Sequence, residues 1–232
     1  MTGAPESRTL LLDAVGSIRV DRASTAERVA DALRDLIIAG DLPPGTALRE
    51  QQLVGLLDVS RNTLREAFRL LGRERLVVYN LHRGVAVREL DAHDVRDIYR
   101  TREPLELMAV EYSADAPRER LEELLGLVER AEAAAERDDW KQVATLNIVF
   151  HQHLVELIGS ERISTFFRVI DAELRLAFAA VRHAPDLFSP FIPRNRAIAE
   201  LLLAGERAAA AAELRAYLAE AERLVRTAVE QA

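Results

Sequence analysis

The sequence contains no cysteine, one tryptophan and only 5% aromatic residues among its 232 positions. Without cysteine there is no disulfide framework, thiol nucleophile or thiolate metal site, which leaves His, Asp and Glu as the strong metal ligands. No segment approaches the roughly 18 consecutive apolar residues of a transmembrane helix, and the N-terminus lacks the basic and apolar segments of a secretory signal. We therefore expect a cytoplasmic protein with no membrane partner.

Charge is unevenly distributed in this chain, which has 49% hydrophobic residues, 30% charged residues and a formal net charge of −7. Residues 1–90 carry 13 Arg against 12 acidic residues, whereas residues 91–232 carry 18 basic residues against 26 acidic ones. The window 61–88 alone holds seven Arg and two Glu. Because the electrostatic field that attracts DNA is local, this window is the candidate nucleic-acid-binding segment.

The first 40 residues divide into a tail and a helix. Residues 1–22 have no sustained period and are predicted to form a flexible N-terminal tail. Ser24 or Thr25 then caps a helix that ends at Gly40. The apolar residues predicted to share one face of this helix are Val29, Leu33, Leu36 and Ile37.

The next 50 residues predict a compact DNA-binding fold. The Pro-stiffened turn GDLPPGTALRE leads into a short leucine-containing helix, and Ser60 caps a further helix that buries its apolar residues. Two β-branched segments, 76–80 and 85–90, follow with LHRG between them. This order predicts a winged helix-turn-helix domain over residues 23–90, with a two-stranded β-hairpin as its wing. The residues predicted to be buried in the helix after Ser60 are Leu64, Phe68 and Leu71.

Burial of those three side chains turns the polar side chains of the same helix outward. Arginine binds guanine in a bidentate manner, asparagine suits adenine, hydroxyl groups suit phosphates, and a helix N-terminus favours anions. The alternative is an Arg-rich helix face that is merely solvated; the helix-turn-helix spacing and the basic LHRG segment favour DNA. The candidate DNA-binding residues are Arg49, Ser60, Arg61, Asn62, Thr63, Arg65, Arg69, His82, Arg83 and Gly84.

The segments LRDLIIAGDLPPGTALRE, SRNTLREAFRLL and NLHRGVAV resemble the DNA-binding domain of GntR-family bacterial transcription regulators. The helix signature Ser-Arg-x-x-x-Arg-Glu-Ala of that family is met from Ser60 to Ala67. The resemblance implies that Arg61, Asn62, Thr63 and Arg65 meet bases or phosphates and that Arg83 and Gly84 approach the minor groove. Arg75 stands where the family usually has glycine, so a positive φ there would cost about 1 kcal/mol.

Residues 91–232 have only helical signals, beginning with Asp91 as an N-cap. Pro104 is expected to kink or divide the first helix, because proline lacks the N–H and clashes with the preceding turn. About six antiparallel helices make a bundle, whose interior can hold a ligand. The fold class is therefore mainly α. The helices predicted after the first one cover approximately 118–137, 139–159, 161–182, 190–204 and 206–230.

This half resembles the FCD ligand-binding domain of the FadR subfamily, through DIYRTREPLE, LNIVFHQHL and NRAIAELLLAGERAAAAAELRAYL. Many members bind a divalent metal with one Asp and three His, and the matching positions here are Asn147, His151, Asn195 and Tyr217. Of these four residues, only His151 is a strong metal ligand. His153 cannot easily replace a missing ligand, because it is rotated about 200° from His151 on a helix. We therefore expect no metal and no other cofactor.

The same positions, together with Arg102, are candidate effector-binding residues. In the family the corresponding Arg points into the cavity, where a guanidinium can bind a carboxylate through paired hydrogen bonds. Two alternatives stay open: His151 is a hydrogen-bonded core histidine, and Arg102 forms an ion pair with Glu103 or Glu106.

These observations lead to one main hypothesis and two alternatives. The main hypothesis is a homodimeric regulator that binds double-stranded DNA at a pseudo-palindromic operator, with an organic acid or acyl-CoA effector in residues 91–232, the effector-binding and dimerisation domain. The first alternative is a DNA-binding regulator that has lost effector sensing. The second, an enzyme, lacks support because the sequence has no Ser/His/Asp arrangement, phosphate-binding Gly loop or HExxH motif.

Overall fold

The computed structural model describes residues 24–80, 84–178, 181 and 184–231. The tail predicted for residues 1–22 lies outside these ranges. Among the described residues, helices and a small sheet form the N-terminal part and helices alone form the rest, so the fold is mainly α as predicted. Among the helices of the described ranges, none combines the length and apolarity needed to cross a membrane.

The first helix, α1 (Thr25–Ala39), begins and ends as its sequence predicts. Ser24 and Glu27 form a reciprocal capping box, and Gly40 closes the helix with φ +81°. The predicted apolar face is wrong in one member, because Leu36 is 42% exposed whereas Leu33 and Ile37 are buried. Leu36 lies at the edge of the face, since it is displaced by about 60° from Leu33 on the helix.

Two more helices complete the helix-turn-helix. Helix α2 spans Glu50–Leu57 and ends at Asp58, and helix α3 spans Arg61–Arg73 with Ser60 as N-cap. Leu64, Phe68 and Leu71 are fully buried, as predicted. These three side chains fix which face of α3 is free.

The wing is a three-stranded antiparallel sheet, not the two-stranded hairpin that the sequence predicts. Strands β2 (Val77–Asn80) and β3 (Gly84–Val87) form the predicted hairpin, and the two-residue strand β1 (Ala47–Leu48) pairs with the other edge of β3. A strand of two residues has no alternating pattern to recognise, although burial of Leu48 anchors it.

Arg75, immediately before the wing, has φ +58°. The backbone at Arg75 therefore has the positive φ at which the family usually has glycine. A non-glycine residue in this left-handed region costs about 1 kcal/mol. The Arg75 guanidinium lies 3.8 Å from the buried carboxylate of Glu173.

In the described part of the helical half, the structure has the six long helices that the sequence predicts and one short helix that it does not. Pro104 does not divide the first of them, which runs unbroken with buried residues on both sides of the proline. The short helix α8 was missed because five residues carry too little periodicity. The bounds are α4 (Ala92–Tyr112), α5 (Arg118–Ala135), α6 (Trp140–Glu156), α7 (Glu161–Phe178), α8 (Ala184–Phe188), α9 (Ile192–Leu203) and α10 (Arg207–Glu230).

Candidate functional site

The N-terminus of α3 is an exposed, positively polarised helix end. Ser60 accepts a hydrogen bond from the Thr63 backbone at 3.0 Å, and the Ser60 and Thr63 hydroxyl groups lie 2.8 Å apart. The first turn contains no acidic residue, so nothing in it opposes an approaching phosphate. Arg61 and Asn62 are both exposed next to this helix end.

Two further arginines of α3 are exposed and each is held by a glutamate. Arg65 is 60% exposed, and its Nε donates to Glu50 of α2 at 3.0 Å. Arg69 is 70% exposed, and its guanidinium lies 2.8 Å from Glu66 one turn earlier. Because Glu50 engages the Nε of Arg65, the terminal nitrogens that form a bidentate pair with guanine stay available.

The remaining candidates for DNA binding flank this helix. Arg49 is exposed at the start of α2, and Gly84 is exposed at the start of β3 with φ +82°. His82 and Arg83, predicted at the tip of the wing, lie outside the described residues.

The effector-binding candidates meet in a chain of polar contacts inside the helical half, which we call the bundle cluster: Arg102, Glu106, Asn147, His151, Asn195 and Tyr217. His151 is 1% exposed, with Nδ1 2.6 Å from Glu106 and Nε2 2.9 Å from the Tyr217 hydroxyl. Tyr217 and Asn195 both donate to Asn147 Oδ1 at 2.9 Å. Helices α4, α6, α9 and α10 thus contribute to one buried network.

Arg102 closes one end of the bundle cluster. Its Nε donates to Glu106 at 2.9 Å, and its guanidinium lies over the rings of Tyr99 and Phe167. The sequence left two possible ion-pair partners for Arg102. In the structure Arg102 pairs with Glu106, and Glu103 is exposed. Arg102 is 2% exposed, so its charge depends on this partner.

The charges of the bundle cluster balance one another. Burial opposes the ionised form of Glu106, but Arg102 and His151 lower the pKa of its carboxyl below the usual value. Burial lowers the pKa of His151 against the opposing effect of the Glu106 carboxylate, and Arg102 acts in the same direction as burial. Arg102 and Glu106 therefore form the charged pair, and the amide and phenol groups extend it as neutral polar contacts.

The donor set does not fit the divalent metal that the family resemblance suggests. Both ring nitrogens of His151 already have partners, and Asn147 Oδ1 already accepts two hydrogen bonds. Burial raises the pKa of Tyr217, so a phenolate ligand is disfavoured further. One imidazole, two amides and a phenol are a weak set for any of the usual metals.

Two small cavities adjoin Asn147. Each has a volume of about 10 Å³, roughly the room for one water molecule. Arg102 and Tyr217 line one cavity, and Asn195 lines the other. Phe188 of α8 lines both, and the buried Asn195 Oδ1 has no hydrogen-bond partner among the described residues.

The sequence reasoning missed one buried aspartate and one cluster of possible metal ligands. Asp171 of α7 lies 3.9 Å from Arg102 and is 1% exposed, but its sequence context carries no signal beyond an acid within an apolar helix face. At the start of α4 the ligand atoms of Asp91, His93 and Asp94 lie within 4.8 Å of one another. Asp91 and Asp94 cap that helix, and Asp94 also pairs with Arg88, so structural roles account for both.

Asp171 provides a test of the electrostatics. Burial raises the pKa of Asp171 to about 8, against the opposing effect of Arg102. The folded protein thus keeps a proton that the unfolded chain releases near pH 4, so the free energy of unfolding falls as pH rises between these values, by about 1.4 kcal/mol per pH unit. We expect the stability gain of Asp171→Asn over wild type to grow by roughly 1 kcal/mol per unit between pH 5 and 8.

Urea denaturation at pH 5, 6, 7 and 8 measures this gain. Asp115→Asn, at an exposed aspartate, is the matched control and should change stability little at every pH. Parallel stability curves for wild type and Asp171→Asn would contradict the raised pKa.

Comparison with known proteins identifies both halves of the chain. Residues 25–87 match the bacterial regulatory proteins of the gntR family, and residues 97–220, more than half of the chain, match the FCD domain. The chain belongs to the GntR family. It is a DNA-binding transcriptional regulator with an FCD domain, as the resemblance in its sequence indicates.

Individual relatives agree with this assignment. An HTH-type transcriptional regulator of Bacillus subtilis (strain 168) is 36% identical over 53% of this chain, a match that spans just over half, 56%, of that relative. A protein of Paenarthrobacter nicotinovorans named "Probable D-xylose utilization operon transcriptional repressor" is 29% identical over 73% of this chain and 80% of its own length. The crystal structure of a GntR transcriptional regulator from Rhodococcus sp. RHA1 is 38% identical, with a TM-score of 0.81 over 88% of this chain and 98% of that one.

Proposed function

We propose that this GntR-family regulator binds a pseudo-palindromic operator in the cytoplasm through residues 23–90, and that a small organic acid bound in residues 91–232 changes its operator affinity. It acts without catalysis and without a metal. The observation that carries the effector proposal is the bundle cluster in the helical half. There a buried guanidinium lines one cavity, and an amide oxygen without a partner among the described residues belongs to a side chain that lines the other.

The chemistry of the bundle cluster favours an organic acid. A carboxylate can take a hydrogen bond from Arg102 in place of Glu106, while the Asn195 oxygen can accept one from a ligand hydroxyl. The cavities are too small for such a ligand as they stand. Entry therefore requires the cavity walls to move, and Phe188, which lines both cavities from the five-residue helix α8, is the side chain that we expect to move.

The relative named for D-xylose utilization suggests a first set of probes. D-xylonate and xylitol are open chains with the same carbon skeleton, and they differ in that the carboxylate of D-xylonate is replaced by a neutral alcohol in xylitol, so they separate a charge requirement from a hydroxyl requirement. Octanoyl-CoA represents the acyl-CoA class. We expect D-xylonate to raise the melting temperature and weaken operator binding, with a smaller effect from xylitol.

The control for this experiment is protein purified without a nickel column, analysed for metals and measured again after dialysis against EDTA. A D-xylonate response that persists without metal supports the proposal, and one that vanishes with the metal contradicts it. If none of the three probes changes operator binding, the result favours the second candidate, a regulator without effector sensing. The small size of the cavities also supports this candidate.

Dimerisation is the second part of the proposal. A single winged domain offers a small interface with DNA, so useful affinity requires two copies on two half-sites. We expect light scattering at micromolar concentration to give twice the 25.9 kDa mass of the chain. A monomer mass both with and without a palindromic DNA would contradict this prediction.

A further inference from the structure

A cleft lies between the two halves of the molecule and is separate from the bundle cluster. Its volume is about 260 Å³, much larger than the cavities beside Asn147. The end of α1 and the following turn form one wall, through Ile37, Gly40 and Pro44. Helices α6, α7 and α8 form the other wall, with Trp140, Phe178 and Phe188 as its aromatic part.

Arg175 of α7 lines this cleft and is 8% exposed. Its Nε donates to the backbone oxygen of Ile38 at 2.6 Å, and its Nη2 donates to the Thr145 hydroxyl at 3.4 Å. Its Nη1 is buried and has no hydrogen-bond partner within the described part of the chain.

No carboxylate of the described residues forms an ion pair with Arg175, in contrast to the buried Arg102. Burial lowers the pKa of the Arg175 guanidinium, and no acidic side chain in the described part of the chain opposes this effect. Lys141, also at the cleft, is 59% exposed and lies 3.3 Å from Asp41. Among the described residues that line the cleft, the charged ones are Arg175 and Lys141, and only Lys141 has a carboxylate partner. A buried charge without such a partner favours a ligand of opposite sign.

We propose that the cleft is a second ligand site, which binds a small organic anion whose acidic group pairs with Arg175 and whose apolar part contacts Trp140, Phe178 and Phe188. Once the Arg175 side chain turns so that its buried Nη1 faces the cleft, a carboxylate can take the hydrogen bond that Nη1 lacks, and the aromatic wall supplies the apolar contact. A ligand in this cleft touches the DNA-binding half and the helical half together. Phe188 also lines the cavities of the bundle cluster, so the two sites share one wall.

The test uses the full chain and the fluorescence of Trp140, which is its only tryptophan and lines the cleft. The probes are cyclohexanecarboxylate and cyclohexanemethanol, which have the same ring and do not absorb where indole is excited. We expect cyclohexanecarboxylate to change the emission saturably and cyclohexanemethanol to bind at least 10-fold more weakly. Equal affinities for acid and alcohol, or no saturable change with the acid, would overturn the proposal.

Variants separate the cleft from other binding sites. Arg175→Met should weaken cyclohexanecarboxylate binding about 10- to 100-fold, the usual range for a hydrogen bond to a charged group. Arg168→Met, the same change at a 48% exposed position of the same helix, is the matched control and should bind as wild type does. If Arg175→Met does not fold, Ala144→Leu, which fills the cleft from α6, should abolish the fluorescence change. If Arg175→Met folds, or failing that Ala144→Leu, and it binds cyclohexanecarboxylate as tightly as wild type does, the proposal is overturned.

Discussion

Arg65→Ala is expected to lower affinity for the cognate operator by about 1–3 kcal/mol and to leave affinity for a scrambled sequence much less changed. Arg65 is exposed on the free face of α3, and Glu50 orients it through Nε. A guanidinium held in this way loses little rotamer freedom when it binds DNA. Removal of its terminal nitrogens is therefore expected to remove a specific contact with a base rather than a general electrostatic attraction to the DNA backbone.

The matched control is Arg73→Ala, which removes the same charge from the C-terminal end of α3. Residue 73 lies about 12 Å along the helix axis from residue 65, beyond the N-terminal half that enters the major groove. Titrations on both DNA sequences at several salt concentrations measure affinity and the salt slope. Equal losses on cognate and scrambled DNA for Arg65→Ala would assign Arg65 to phosphate contact and remove it from base recognition.

How far the sequence predicts this molecule differs between its two halves. In the DNA-binding half, caps and periodicity are local signals, so Ser60, Gly40 and the buried stripe of α3 follow from the chain alone. Strand β1 does not, because its two residues are fixed only by pairing with β3, about 38 positions later. Pairing across the chain is a tertiary effect that no short window contains.

In the helical half the sequence predicts which residues face the interior but not how they pair. The ion-pair partner of Arg102 is one of two glutamates on its own helix, Glu103 or Glu106. Which of them forms the pair depends on which face of α4 packs against α6 and α10. Asp171 and Arg175 were not predicted because each is one charged residue in an amphipathic helix. Their significance depends on what the other helices bring near them.

Glu106→Gln is expected to destabilise the regulator by about 3 kcal/mol, the lower end of the range for breaking a buried ion pair. The carboxylate of Glu106 is fully buried and joins Arg102 and His151, so its loss leaves a buried guanidinium without its partner. Asp171, 3.9 Å from Arg102, limits the loss. Glu106 is one of the charges that raise the pKa of Asp171, so its removal makes Asp171 easier to ionise as a replacement.

Two comparisons decide whether the loss comes from the charge pair. Glu103→Gln, at the exposed neighbour on the same helix, should change the free energy of unfolding by no more than about 0.5 kcal/mol. The double variant Arg102→Met, Glu106→Leu removes both charges and should recover most of the stability, because an apolar pair of similar volume replaces a desolvated ion pair at little cost. Urea denaturation of the three variants and wild type measures these differences. A double variant no more stable than Glu106→Gln would mean that Glu106 acts mainly by holding His151, and the hydrogen bond at Nδ1, not the guanidinium, would then be the centre of the bundle cluster.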